Sequence, residues 1–284
     1  MVSEIVKLPS ASFPPLLSEM PDPPEQLYVR GMLPSEETCL LAVVGSRKYS
    51  DYGRHVCEKL IAELRGYDIA IVSGLALGID SIAHEAALQN GLTTVAIPGS
   101  GLSEHVLYPR THVELARRII DAGGALVSEF EPDMQATPYT FPKRNRIMAG
   151  MSHGVLIIEA AERSGTLITA RLGMEYNREV MAVPGSISSV SSYGPHMLIK
   201  NGATPVTSGT DILEAFGLEK TEAGTGGSEL SEHERSIIEL LRSPRPKDDV
   251  IEALDLSISE AQTVLSAMEI KGLIRERLGK LERM

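Results

Sequence analysis

The chain has 284 residues, 43% of them hydrophobic, and a formal net charge of -11 at pH 7. That is enough apolar material for one large core and a smaller second unit. So acidic a total excludes a surface that is basic all over, and any contact with a polyanion has to be a local patch.

The first 39 residues carry Pro9, Pro14, Pro15, Pro21, Pro23, Pro24 and Pro34. Proline fixes φ and lacks a donor, which bars long regular elements. Residues 1–39 are therefore read as an extended arm that packs on the main domain through Leu16, Leu17, Leu27 and Tyr28. Met1 to Glu19 contain no long apolar stretch, so no signal peptide is expected, and no run approaches membrane-spanning length. Two cysteines, Cys39 and Cys57, sit among apolar neighbours. They point to a reducing compartment without a disulfide framework, and so to the cytoplasm.

From residue 40 onward short apolar runs alternate with helical periodicity. The runs are Leu40–Gly45, Ile69–Ser73, Thr94–Pro98, Ala125–Glu129, Val155–Glu159, Val180–Pro184 and a weaker one at Ala203–Thr207. Near-continuous Val, Ile, Leu and Ala stretches are what strands buried on both faces require. Between them Val56, Leu60, Ile61 and Leu64 recur at helical spacing, as do Ile79, Ile82, Ala83, Ala86 and Ala87. The alternation predicts an α/β fold, a doubly wound parallel sheet over 40–217. Residues 218–230, with Gly224, Gly226, Gly227 and Ser228, have linker composition. Two helical patterns follow in 231–284, which predicts a small C-terminal three-helix or winged-helix-like domain. The second of them, 259–271, offers Glu260, Gln262, Glu269 and the single cation Lys271, a poor match to a DNA recognition helix.

In an open α/β sheet, ligands bind at the carboxyl ends of the strands. The loops expected there are Gly45-Ser46-Arg47, Ser73-Gly74-Leu75-Ala76, Pro98-Gly99-Ser100-Gly101, the long segment 131–142, Ser164-Gly165-Thr166 and Pro184-Gly185-Ser186. Small residues at strand ends make tight turns, and they also let backbone N–H groups approach an anion. One such loop favours the turn alone; several on one rim favour the anion. On the same rim falls Phe141-Pro142-Lys143-Arg144-Asn145-Arg146, with three cations in six residues. Cations so close repel unless an anion or water separates them, which points to a polyanion. Tyr49, Tyr52, Tyr108, Tyr139, Phe141 and Tyr193 lie in or beside these loops, and bases stack on aromatics. Phe141 is the stacking candidate, whereas Tyr52 is assigned to the core.

Neither G-x-G-x-x-G nor G-x-x-x-x-G-K-[ST] is present, so a dinucleotide cofactor and a P-loop are unsupported. The histidines are scattered without H-E-x-x-H, and no cofactor or metal is expected. Asp80 and His84 stand at i, i+4, and are read as a helix cap with a packed or bonded histidine rather than as metal ligands.

Gly45-Ser46-Arg47, Ser73-Gly74-Leu75-Ala76 with Gly78-Ile79-Asp80 and Ala83-His84, Phe141 to Arg146, Ser164-Gly165-Thr166 and Val183-Pro184-Gly185 together resemble the DNA-processing protein A (DprA/Smf) family. The resemblance runs from about residue 20 to 217. It implies an extended Rossmann-like domain without enzymatic activity that binds single-stranded DNA, forms homodimers and loads RecA recombinase onto incoming strands in natural transformation. Carried over by motif, Gly45, Ser46 and Arg47 would cradle phosphate. Lys143, Arg144, Asn145 and Arg146 would form a basic pocket with Phe141 near a base. Gly74, Ser164, Gly165, Thr166 and Lys200 complete the expected DNA contacts. The family usually has Asn where this chain has His196. A rival enzymatic reading is a nucleotide-processing Rossmann protein resembling the lysine-decarboxylase-like phosphoribohydrolases. Those carry P-G-G-x-G-T-x-x-E where this chain has Ala161 to Thr169, lacking the double glycine and the trailing Glu.

Overall fold

The computed structural model describes residues 4–218 and, further on, 236–237, 240–241, 245–254, 256, 258–270, 274–277 and 280–283. Its contacts divide the chain into two compact units, Met1–Gly224 and Thr225–Met284.

The first unit is built on a nine-stranded sheet. In chain order its strands are β1 (Ile5–Leu8), β2 (Leu27–Gly31), β3 (Cys39–Val44), β4 (Ile69–Ser73), β5 (Thr94–Ala96), β6 (Ala125–Ser128), β7 (Gly154–Ile157), β8 (Glu179–Ala182) and β9 (Thr204–Pro205). Their order across the sheet is β1-β2-β6-β5-β4-β3-β7-β8-β9. Strands β3 to β9 are mutually parallel, while β1 and β2 close one edge antiparallel. The parallel strands coincide with the seven apolar runs of the sequence.

Seven helices join them: α1 (Asp51–Glu63), α2 (Ile79–Gln89), α3 (Val113–Asp121), α4 (Thr140–Met151), α5 (Thr166–Glu175), α6 (Tyr193–Lys200) and α7 (Gly209–Phe216). The two-residue alternation of the strands sends side chains into two separate cores. Leu40, Ala42 and Val44 of β3 pack with Ile147, Met148 and Met151 of α4, Ala170 of α5 and Leu198 of α6. Leu41 and Val43 pack with Leu60 and Ile61 of α1, Ile79 and Ala83 of α2, and Ile212 of α7. Helices thus cover both faces, and the sheet is doubly wound. Each fully buried Leu or Ile here contributes about 1.5–3 kcal/mol.

The proline-rich segment supplies more than an extended cover. Its prolines stand outside β1 and β2, leaving two short stretches free to pair. Leu17, Met20, Leu27 and Val29 are buried in the core on the α4 face, and Tyr28 is buried in a third cluster with α3.

The chain leaves β3 toward β4, β5 and β6, then returns across it to β7, β8 and β9. Strand order therefore reverses between β3 and β7, and a crevice must open where their following loops diverge. Gly78, at φ 87°, ends the β4–α2 loop; a Cβ there would fall 2.3 Å from the Ser46 carbonyl oxygen. Glycine at that position lets the loop after β3 lie against α2.

The second unit contains β10 (Arg245–Pro246), α8 (Lys247–Glu252), α9 (Ile258–Ile270), β11 (Ile274–Arg277) and β12 (Lys280–Arg283). The strands form a sheet in the order β10-β12-β11. Ile237, Leu241, Val250, Leu254, Ala261, Leu265, Met268, Ile274 and Leu281 bury a small core of its own. Beyond Leu218 the expected linker falls outside the described residues, as does Lys271.

Candidate nucleic-acid interface

At the reversal point the loops after β3 and β7 are tied together. Thr166 Oγ1, at the start of α5, donates to the Gly45 carbonyl oxygen at 3.0 Å. Between them lies a cleft of about 680 Å³. Gly45 to Lys48 line it from one side, Arg163 to Thr166 from the other, and Phe141, Arg144 and Asn145 from α4. A Cβ at Gly165 would meet nothing within 4 Å, so that backbone faces open space. A Cβ at Gly45 would instead sit 2.7 Å from Ile79, so Gly45 is small because α2 packs on it.

The basic run does not form a continuous wall. A helix turns 100° per residue, so four successive residues of α4 cannot all face one cleft. Lys143 is exposed. Arg144 is only 4% exposed. Its Nη1 donates to the carbonyl oxygens of Gly74 and, at 2.6 Å, Ile97, while Nε donates to Asn145 Oδ1 at 3.0 Å. Arg144 stitches the ends of β4 and β5 to α4 and presents little charge to a ligand. A Cβ at Gly74 would lie 1.9 Å from Arg144 Nη1, which is why that buried loop position is glycine. Asn145 is equally inward, with Nδ2 3.5 Å from the Gly165 carbonyl oxygen. Arg146 pairs with Glu129 through Nη2 and donates from Nη1 to the Asp22 carbonyl oxygen at 2.5 Å. Its charge is neutralised within the fold. The expected basic pocket of Lys143, Arg144 and Arg146 thus reduces to one exposed cation, because burial forces the other two to find partners inside.

The exposed cations stand elsewhere. Arg47, Lys48 and Arg163 line the cleft, and among the described residues no carboxylate pairs with them. Lys48 and Arg163 were not singled out by sequence; their only signal is adjacency to the two glycine loops. The Arg47 guanidinium lies over the Phe141 ring, 5.1 Å from its centroid. Tyr108 is a second neighbour of the ring, centroids 6.0 Å apart and planes at 56°. Phe141 is in turn seated over Gly99, where a Cβ would come within 2.6 Å of the ring. Lys200 lies outside this cleft. It lines a neighbouring one of about 640 Å³ with Tyr193 and His196, and Val190 lines both. His196 Nε2 is 3.1 Å from the Gly185 carbonyl oxygen, holding the loop after β8.

Two further expectations are corrected. Tyr52 is 49% exposed rather than in the core, because its hydroxyl reaches the Pro184 carbonyl oxygen at 2.6 Å. Asp80 does not cap α2, whose N-cap position is Gly78 with no side-chain cap bond, and His84 does not bond to it. Asp80 accepts backbone N–H groups of Ala76 and Gly74, and burial pushes its pKa up against the opposing pull of Arg144 and Arg47. His84 Nδ1 instead meets Thr94 Oγ1 at 2.7 Å. Desolvation, with smaller contributions from His112 and Arg144, depresses the His84 pKa to about 3. In the unfolded chain it returns to about 6.5, so between those values the unfolded state binds a proton that the folded state refuses. The stability it secures above pH ~6.5 is lost as pH falls, on the order of 2 kcal/mol by pH 5. Urea unfolding of the native protein at pH 7 and pH 5 should show that loss, and His84→Leu should flatten it. An unchanged pH slope in the variant would remove His84 as its source.

Chemically the cleft offers exposed cations, an aromatic ring and open space beside the Gly165 backbone. Among the described residues its one carboxylate is Asp80, held by backbone donors, and no histidine or cysteine lines it. No group of three or more His, Cys, Asp or Glu among the described residues is disposed to hold a metal, and no helix among them is long and apolar enough to cross a membrane.

Comparison with known proteins bears on this arrangement. The family described as DNA recombination-mediator protein A matches residues 4–217, and the DprA winged helix domain matches 221–280. Protein Smf of Escherichia coli K12 is 42% identical over 284 residues, covering 95% of this chain and 74% of that protein. DNA processing protein DprA of Streptococcus pneumoniae is 45% identical over 218 residues, 75% of this chain and 76% of that one. The X-ray structure of the Streptococcus pneumoniae protein superposes with a TM-score of 0.68 at 41% identity, covering 74% of each chain. A structure of DNA processing protein A from Helicobacter pylori, described for its single-stranded DNA binding mode, superposes with a TM-score of 0.65 at 27% identity, covering 76% of this chain and 98% of that one.

Proposed function

We propose, from the premise that the chain belongs to the DNA recombination-mediator protein A family, that it binds single-stranded DNA in the cleft between β3 and β7 and loads RecA recombinase onto that strand. The observation that carries the reading is the pairing of unneutralised cations with an aromatic face. Arg47, Lys48 and Arg163 ring the mouth, and Arg47 covers Phe141. Cations track a phosphate backbone, and a ring face takes a base only when that base is unpaired. Duplex DNA offers the first contact without the second, which favours the single strand.

Gly45, Ser46, Ser164 and Gly165 would turn backbone donors to phosphate, while Thr166, whose hydroxyl and N–H are taken up by the Gly45 carbonyl oxygen and Ser164 Oγ, ties the two loops together. Lys143 and Lys200 would extend the basic track beyond the cleft, while Gly74, Arg144, Asn145 and Arg146 hold its walls. Residues 40–217 with the 1–39 arm would bind the strand, and 231–284, beyond a linker at 218–230, would form the winged-helix-like module. We place the protein in the cytoplasm as a homodimer acting in natural transformation, without catalysis.

The reading is tested by RecA filament growth on single strands precoated with single-strand binding protein. Substoichiometric protein should shorten the lag severalfold, and duplex competitor should relieve the effect less than single-strand competitor. An unchanged lag at saturating protein would sink the loading role.

A further inference from the structure

Glu159, two residues beyond the end of β7, has no part in the site assigned above and makes no ion pair with its cations. It is 3% exposed, a buried carboxylate at the carboxyl edge of the sheet. Its Oε2 accepts from the Ser50 backbone N–H at 2.9 Å, and its Oε1 accepts from Ser50 Oγ at 2.5 Å and Ser191 Oγ at 2.8 Å. Ser50 caps α1 by accepting from the Gly53 N–H at 3.1 Å. A Cβ at Gly53 would fall 2.3 Å from Glu159 Oε2, so the carboxylate is pressed directly onto the first turn of α1. The positive end of that helix favours a negative charge there.

Those bonds tie together two loops that border the cleft. Ser50 closes the loop whose Arg47 and Lys48 line the cleft, while Ser191 and its neighbour Val190 line it themselves. The second loop is doubly fixed, since the Ala160 N–H donates to the Ser191 carbonyl oxygen at 2.8 Å. One side chain therefore sets where two loops stand relative to each other. The Ser50 N–H can only donate and both hydroxyls donate here, so an amide in its place either loses the N–H bond or makes both hydroxyls turn round to accept.

We propose that Glu159 is a positioning residue for strand binding, holding the Arg47 loop at the distance from the 189–191 lip that lets Arg47 lie over Phe141 and meet a phosphate. The assignment rests on the strand-binding reading above, and the test separates the two.

The measurement is a double-mutant cycle of Glu159→Gln and Arg47→Ala, read as the dissociation constant for a fluorescent oligothymidylate and its salt dependence. Glu159→Gln alone should weaken binding on the order of tenfold and flatten the salt slope, the scale on which supporting contacts act. Arg47→Ala should cost roughly tenfold in the native background but no more than about twofold in the Glu159→Gln background, because an Arg47 already displaced has little left to lose. A loss of fold alone would lower the active fraction without altering the slope of the molecules that still bind. If Glu159→Gln does not fold, Ser191→Ala, which removes one donor and leaves both the carboxylate and the Ser50 cap of α1, carries the same cycle. An equal cost of Arg47→Ala in both backgrounds overturns the positioning role. No cost of Arg47→Ala in the native background overturns the strand reading instead.

Discussion

Replacing Arg144 with alanine is expected to destabilise the first unit by about 3–5 kcal/mol, the scale of removing one partner from a buried charged network. The guanidinium is buried and holds carbonyl oxygens of two strand ends, the Asn145 amide and the field at Asp80. Alanine leaves those acceptors without their donor and the buried Asp80 carboxylate without its counter-charge, each then bearing its desolvation penalty. Lysine would keep the charge but not the planar fork that reaches Gly74 and Ile97 together, so Arg144→Lys should recover little. Urea unfolding monitored by circular dichroism decides the point. A variant of native stability that fails only to bind DNA would return Arg144 to the ligand side of the cleft.

The second large effect concerns affinity. Changing Arg47, Lys48 and Arg163 together to alanine should weaken single-strand binding on the order of 100-fold at moderate salt, through lost phosphate contacts and the lost Arg47 platform over Phe141. All three are exposed, so the fold should survive and the thermal midpoint should move by no more than a few degrees. Arg144 is the contrast. A cation bound to the fold and a cation free for a ligand look alike in sequence but respond to different measurements.

Much of the fold was legible because strand burial writes itself as composition. Seven apolar runs became seven parallel strands, and the carboxyl-edge rule brought the glycine loops after β3 and β7 to one cleft. The β1–β2 edge was hidden because strands of four and five residues beside a proline-rich stretch carry little periodicity. The role of Phe141 to Arg146 was half legible. Density of charge marked the segment, but which arginine turns inward depends on where α4 begins, and that register is set by packing of Ile147, Met148 and Met151. Glu159 was written only as the end of a strand. Its partners Ser50 and Ser191 lie 109 and 32 residues away, a relation no local pattern encodes. Asp80 and His84 had the right spacing for contact, yet the β4–α2 loop backbone and Thr94 of β5 take their hydrogen bonds instead.

That a single strand is held by unpaired cations at the reversal point of the sheet is tested most directly by the salt dependence of oligothymidylate binding. The native protein is compared with the Arg47, Lys48 and Arg163 triple-alanine variant. Each cation withdrawn from a single strand should reduce the slope of log affinity against log salt by about 0.7, so the variant should lose about 2. An unchanged slope and affinity would place the strand elsewhere on the molecule.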